Sequence, residues 1–143
     1  MKKDYIRDYV TEMFRRYAHA GKPTYEEAKR KIYEAEIKKR WNVSPDIAVK
    51  QAEKAVHDRT PYLLDILAVD KTMSLLRKNG KEHIARAVTD VYFTSPSRLL
   101  RKGDVSARVR AFALDLPCSE KQAYIYLRQA RRLCAAIRGL SVD

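Results

Sequence analysis

At 143 residues the chain can hold one or two small domains with a modest core, and its 34% charged and 45% hydrophobic composition is that of a folded globular protein, which excludes disorder. Thirty Lys and Arg against 18 acids give a net charge of +12, which suits an acidic polymer as partner: nucleic acid first, an anionic membrane surface second. No run approaches the roughly eighteen apolar residues that span a bilayer, and the opening MKKDYIRDYV lacks the apolar core of a signal peptide, so a cytoplasmic protein with no membrane partner is expected.

In chain order, Ile6, Tyr9, Val10, Met13, Phe14 and Tyr17 recur at intervals of three and four, predicting an amphipathic helix over 4–20 that Gly21-Lys22-Pro23 ends. Thr24 and Glu27 form a T-x-x-E capping box that opens a second helix, with Ala28, Ile32, Ala35 and Trp41 on its inner side. Its outer side carries Lys29, Arg30, Lys31, Lys38, Lys39 and Arg40, read as a solvated face or, alternatively, a DNA contact. Ser44-Pro45 and Thr60-Pro61 each place a hydroxyl cap before a proline at the first helical position, where the missing N–H costs nothing, predicting helices over 45–58 and 61–78. Asn79-Gly80 closes the second of these, and a fifth helix is expected over 82–92. Thr94-Ser95-Pro96-Ser97 breaks the pattern and is the expected hinge between a helical region, 1–93, serving as core, oligomerisation or partner surface, and a C-terminal unit, 94–143. Apolar and polar residues nowhere alternate for long, so the fold class is all-α.

The C-terminal unit reads as two helices meeting at a sharp corner. Asp104 caps a helix to about residue 114, residues 115–118 turn, and Ser119, with Gln122 completing an S-x-x-Q box, caps a second helix that ends at Gly139. Ala113 leaves room for the helices to cross, and Ala123, Leu127, Ala130, Cys134 and Ile137 form an inward stripe. Opposite it lie Lys121, Gln122, Tyr124, Ile125, Arg128, Arg131 and Arg132, a basic, hydrogen-bonding face of the kind that enters a major groove. Tyr126 is read as a packing residue beside Leu127. From Arg98 onward ten Lys and Arg face four acids, about twice the net positive charge per residue of the first 97 residues. Cys118 and Cys134 sit sixteen residues apart, about 24 Å along a helix, too far for a disulfide, and are expected to be free thiols.

The run from Ser119 to Arg131, SEKQAYIYLRQAR, with Ala113 and Leu116 upstream, resembles the recognition helix of the region-4 domain of sigma-70-type factors. The chain also resembles phage late-gene transcriptional regulators of the RinA/ArpU type, small basic proteins with such a helix-turn-helix near the C-terminus. Pro117 stands where the sigma family usually has Gly, so the turn is expected to avoid a positive φ there. The resemblance implies a sequence-specific, duplex-DNA-binding transcriptional regulator of phage or prophage origin, with RNA polymerase and a second copy of the chain as further candidate partners. Nothing in the first 97 residues resembles a promoter-melting region, which argues for an activator over an independent sigma factor. Lys121, Gln122, Tyr124 and Arg128 are then the base-reading candidates, and Ser119, Arg101, Lys102, Arg108, Arg110, Arg131 and Arg132 the phosphate contacts. The alternatives are a phage DNA-packaging protein like a small terminase subunit, and a helical protein–protein adaptor that does not bind DNA.

Enzyme chemistry finds no foothold in the sequence. His19, His57 and His83 lie near three different helix ends, no CxxC, HxxxH or HExxH spacing offers metal ligands, and Gly21, Gly80, Gly103 and Gly139 are isolated punctuation. No catalytic residue, metal or cofactor is expected.

Overall fold

The computed structural model describes residues 4–140, and these form seven α-helices with no strand among them. They are α1 (Tyr5–His19), α2 (Tyr25–Lys39), α3 (Pro45–Asp58), α4 (Thr60–Lys78), α5 (Glu82–Val91), α6 (Asp104–Asp115) and α7 (Glu120–Arg138). Local signals set most of these boundaries. Thr24 accepts a hydrogen bond from the Glu27 N–H at 3.1 Å, and Ser119 accepts one from the Gln122 N–H at 3.0 Å. At the C-terminal ends, Gly80 and Gly139 adopt positive φ (74° and 87°), letting Lys81 and Leu140 donate back to Leu76 and Ala135 and satisfy carbonyls the helices leave open.

Helix α4 is the axis of the packing. Leu63, Ile66, Ala68, Val69, Met73 and Leu76 bury its apolar side against α1, α2, α5 and α7. Helix α7 lies against α4 and α5, with α1 and α6 at its flanks, so its stripe of Ala123, Leu127, Ala130 and Cys134 joins the same core as Val10, Phe14 and Val88. That core runs without a break across the boundary expected at residue 94. Burial of each large member, such as Phe14, Phe112 or Leu127, contributes about 2 kcal/mol. The α2–α3 hairpin packs chiefly on itself and reaches the rest through α2 and α4.

Several local expectations are corrected. Asp104 does not cap α6: Gly103 holds the cap position in the left-handed region, while the Asp104 carboxylate turns back to accept the Arg101 N–H at 2.7 Å. That hydrogen bond, more than the neighbouring arginines, holds its carboxyl below the usual range. Ser44 makes no side-chain cap bond, and Thr60 is already helical, its hydroxyl donating to the His57 carbonyl at 2.6 Å. Trp41 is 85% exposed because α2 ends at Lys39 and its apolar period ends with it, and Ala35, within α2, also faces solvent. The α6–α7 turn contains a cis Leu116–Pro117 peptide and no positive φ, and Cys118 and Cys134 are free thiols. Burial pushes the Cys134 thiol up to about 11.

The segment 94–97 is not a free hinge. Arg15, only 5% exposed on α1, donates to the carbonyls of Tyr92 at 2.9 Å, Thr94 at 2.7 Å, Ser95 at 2.8 Å and, at close range, Arg98. One guanidinium thus gathers the backbone that connects α5 to α6 onto α1. Its burial, helped by the nearby Arg108, lowers its affinity for a proton, yet a guanidinium stays charged at any working pH.

Candidate nucleic-acid interface

The outward side of α7 follows from its sequence. With 3.6 residues per turn, apolar side chains at 123, 127, 130 and 134 point to the core and leave the remaining arc to solvent. On that arc Lys121, Tyr124, Arg128 and Arg132 are exposed, and Ile125 is half-buried. None of the three cations forms an ion pair among the described residues. The helix is therefore anchored by one side and presents unneutralised positive charge on the other.

The candidate residues divide into four groups. Lys121, Tyr124, Arg128 and Arg132 share the open face, and Gln122 stands half-buried at its edge with its backbone N–H held by Ser119, itself exposed. Arg108 and Arg131, both half-buried, are directed inward to the end of α5: Arg108 donates to the Val91 carbonyl at 2.8 Å, and Arg131 to the Tyr92 hydroxyl at 2.7 Å. Tyr92 in turn stacks on Phe14, ring centroids 5.6 Å apart, so Arg131 is braced by the core. Arg110 reaches Glu120 at 3.6 Å, bridging α6 to the first turn of α7. Arg101 and Lys102 are exposed on the segment before α6.

Two features were invisible in the sequence reading. The last turn of α7 is tied down by Arg138, whose Nε donates to buried Asp65 on α4 at 2.7 Å, and Asp65 also accepts the Tyr9 hydroxyl of α1 at 2.9 Å. The hydrogen bond to Asp65 raises the Arg138 guanidinium's hold on its proton, while burial first, then Asp65, raises that of the Tyr9 phenol. The other feature is a cleft of about 240 Å³ where the start of α1 meets the middle of α7, lined by Arg7 of α1 and by Arg128, Arg131 and Arg132. The Arg-x-x-Arg-Arg spacing was the available signal for the α7 side, since positions three and four apart share a helix face. Nothing local predicted Arg7.

His83 packs edge-on against Tyr126, which also meets Phe112, so Tyr126 packs as expected. A cleft of about 660 Å³ between α2 and the α3–α4 pair mixes Glu26 and Glu53 with Lys29 and Arg30 and presents no surface of one sign. Among the described residues no group of three His, Cys, Asp or Glu could hold a metal ion, and no helix is long and apolar enough to cross a membrane. Comparison of the chain with protein-family models, curated proteins and solved structures gives no match.

Proposed function

We propose that this chain is a sequence-specific duplex-DNA-binding protein, a transcriptional regulator of phage or prophage origin, whose α6–α7 pair acts as a helix-turn-helix. The observation that carries the reading is the open face of α7: exposed Lys121, Tyr124, Arg128 and Arg132 without acidic partners among the described residues, on a chain of net charge +12. A helix about 10–12 Å across fits a major groove about 12 Å wide, and the Leu116–Ser119 turn leaves the first turns of α7 uncovered. Lys121, Gln122, Tyr124 and Arg128 would read base edges, with Gln suited to adenine and Lys or Arg to guanine. Ser119, Arg101, Lys102, Arg110 and Arg132 would hold the phosphates. Arg108 and Arg131 contribute chiefly by bracing α6 and α7 on α5, since each has a protein acceptor.

The division of roles is testable by binding titrations. Gln122→Ala is expected to cost roughly 1–3 kcal/mol at a single base position and little on duplexes altered there. Arg132→Ala is expected to weaken every duplex alike and to flatten the salt dependence. Identical profiles for the two variants across a panel of single-base-pair changes would refute the assignment.

A further inference from the structure

The arginine cleft between α1 and α7 belongs to no expectation drawn from the sequence, and its composition is specific. Arg128, Arg131 and Arg132 occupy adjacent positions on one side of α7, and Arg7 closes the cleft from α1. Asp4 is the single acid lining it, and its carboxylate is already engaged by the Arg7 backbone N–H at 2.9 Å. Among the described residues the Arg7 side chain pairs with its neighbour Asp8, at 3.4 Å, an exposed pair worth little. Arg131 spends one N–H on the Tyr92 hydroxyl, which fixes the guanidinium plane while its other N–H groups have no acceptor among the described residues. Val10, fully buried, makes part of the wall apolar.

Four arginines lining one concave site repel each other unless an anion sits among them. Guanidinium forks match the paired oxygens of a phosphate, with two parallel N–H···O bonds per fork. The volume of about 240 Å³ accommodates one phosphate group with several waters, each taking about 30 Å³. A flat basic surface would bind the same charge more loosely, because it fixes neither direction nor distance.

We infer that this cleft is a phosphate-binding site that seats one backbone phosphodiester of the duplex, making α1 part of the DNA interface. The inference rests on the DNA-binding reading above. Under it α7 enters the groove while Arg7 and Arg132 grip the strand along its flank, so the angle of the helix in the groove is set by two elements of one rigid core. The forks suit any oxyanion with paired oxygens, phosphate included; Arg128 lines the cleft while also serving as a base reader, and the contacts of Arg7 and Arg132 carry no base preference.

The test uses the full chain, with Arg7→Ala, Arg7→Lys and Arg128→Ala, and duplexes of mixed sequence titrated across a salt series. Arg7 is exposed and outside the core, and matching thermal melts establish that the variants fold. Arg7→Ala is expected to weaken all duplexes by about fivefold near physiological salt and to lower the log–log salt slope by about one, with Arg7→Lys recovering part of the affinity. Unchanged affinity and slope in Arg7→Ala, alongside weakening in Arg128→Ala, would overturn the cleft and leave the DNA reading standing. If the unmodified chain binds no duplex, the DNA reading fails, and with it the seating of a backbone phosphate. Titration with inorganic phosphate then decides the pocket separately: saturable shifts of arginine Nε–Hε signals, lost in Arg128→Ala, keep it as a site for free phosphate, and their absence removes it altogether.

Discussion

Arg15→Ala is expected to destabilise the protein by on the order of 3 kcal/mol, about 10 °C in melting temperature for a chain of this size. The side chain is 5% exposed and serves the carbonyls of residues 92, 94, 95 and 98, gathering a stretch that has no helix of its own to satisfy them. Water can reach the carbonyls at 94, 95 and 98, whose residues are exposed, which keeps the cost below the sum of four charge-assisted bonds. The Tyr92 carbonyl lies in a residue 3% exposed and has no such relief. Arg15→Lys should recover less than half of the loss, since a single ammonium lacks the fork that spans several acceptors. Amide exchange should quicken between residues 94 and 103 while α4 stays protected. A melting temperature within about 2 °C of the unmodified protein would contradict the clamp.

Asp65→Ala is expected to cost about 2–3 kcal/mol, by removing a buried acceptor shared by α1 and α7. The carboxylate is 4% exposed, accepts Tyr9 and Arg138, and lies within a face of α4 that is apolar apart from Thr72. Arg138 and Tyr9 both retain some access to water, so they rehydrate in part when Asp65 is lost, which holds the figure below the upper range for a broken buried pair. Arg138→Ala should cost a similar amount by leaving the Asp65 charge with Tyr9 alone. The double variant should therefore be less destabilised than the two single losses added together, with a coupling of about 1–2 kcal/mol in a double-mutant cycle followed by urea denaturation. Strict additivity would mean that the two side chains do not act as a pair.

These two residues mark where the sequence stopped being informative. Helix identity came from neighbours: Thr24 and Ser119 announce starts, Gly80 and Gly139 announce ends, and apolar side chains three and four apart give the inner faces. Each is a local interaction within a turn or two. Arg15 and Asp65 meet partners 56 to 83 residues away, and no periodicity specifies which distant backbone or side chain will arrive there. The pattern could have flagged them, because Arg15 sits beside buried Phe14 and Asp65 between Leu64 and Ile66, and a charge on a core-facing arc must find partners. It could not have named those partners. The tether on Thr94 and Ser95 is illegible for the same reason: the composition is that of a loop, and the guanidinium that holds it comes from α1.

The candidate interface was legible to a similar depth. Lys121, Tyr124, Arg128 and Arg132 are exposed where the period of α7 puts them, whereas Arg131 and Arg108, equally basic, turn to the end of α5. A helical wheel separates inner from outer arcs. It does not show that a neighbouring helix end supplies acceptors at the border between them.

The central claim, that the open face of α7 recognises duplex DNA by sequence, is tested most directly by selecting bound duplexes from a random pool at near-physiological salt. The account predicts enrichment of a defined consensus, and loss of that enrichment when Lys121, Gln122, Tyr124 and Arg128 are replaced by alanine. A pool that stays random after repeated rounds, with weak binding that falls steeply with salt and is indifferent to those four residues, would contradict it.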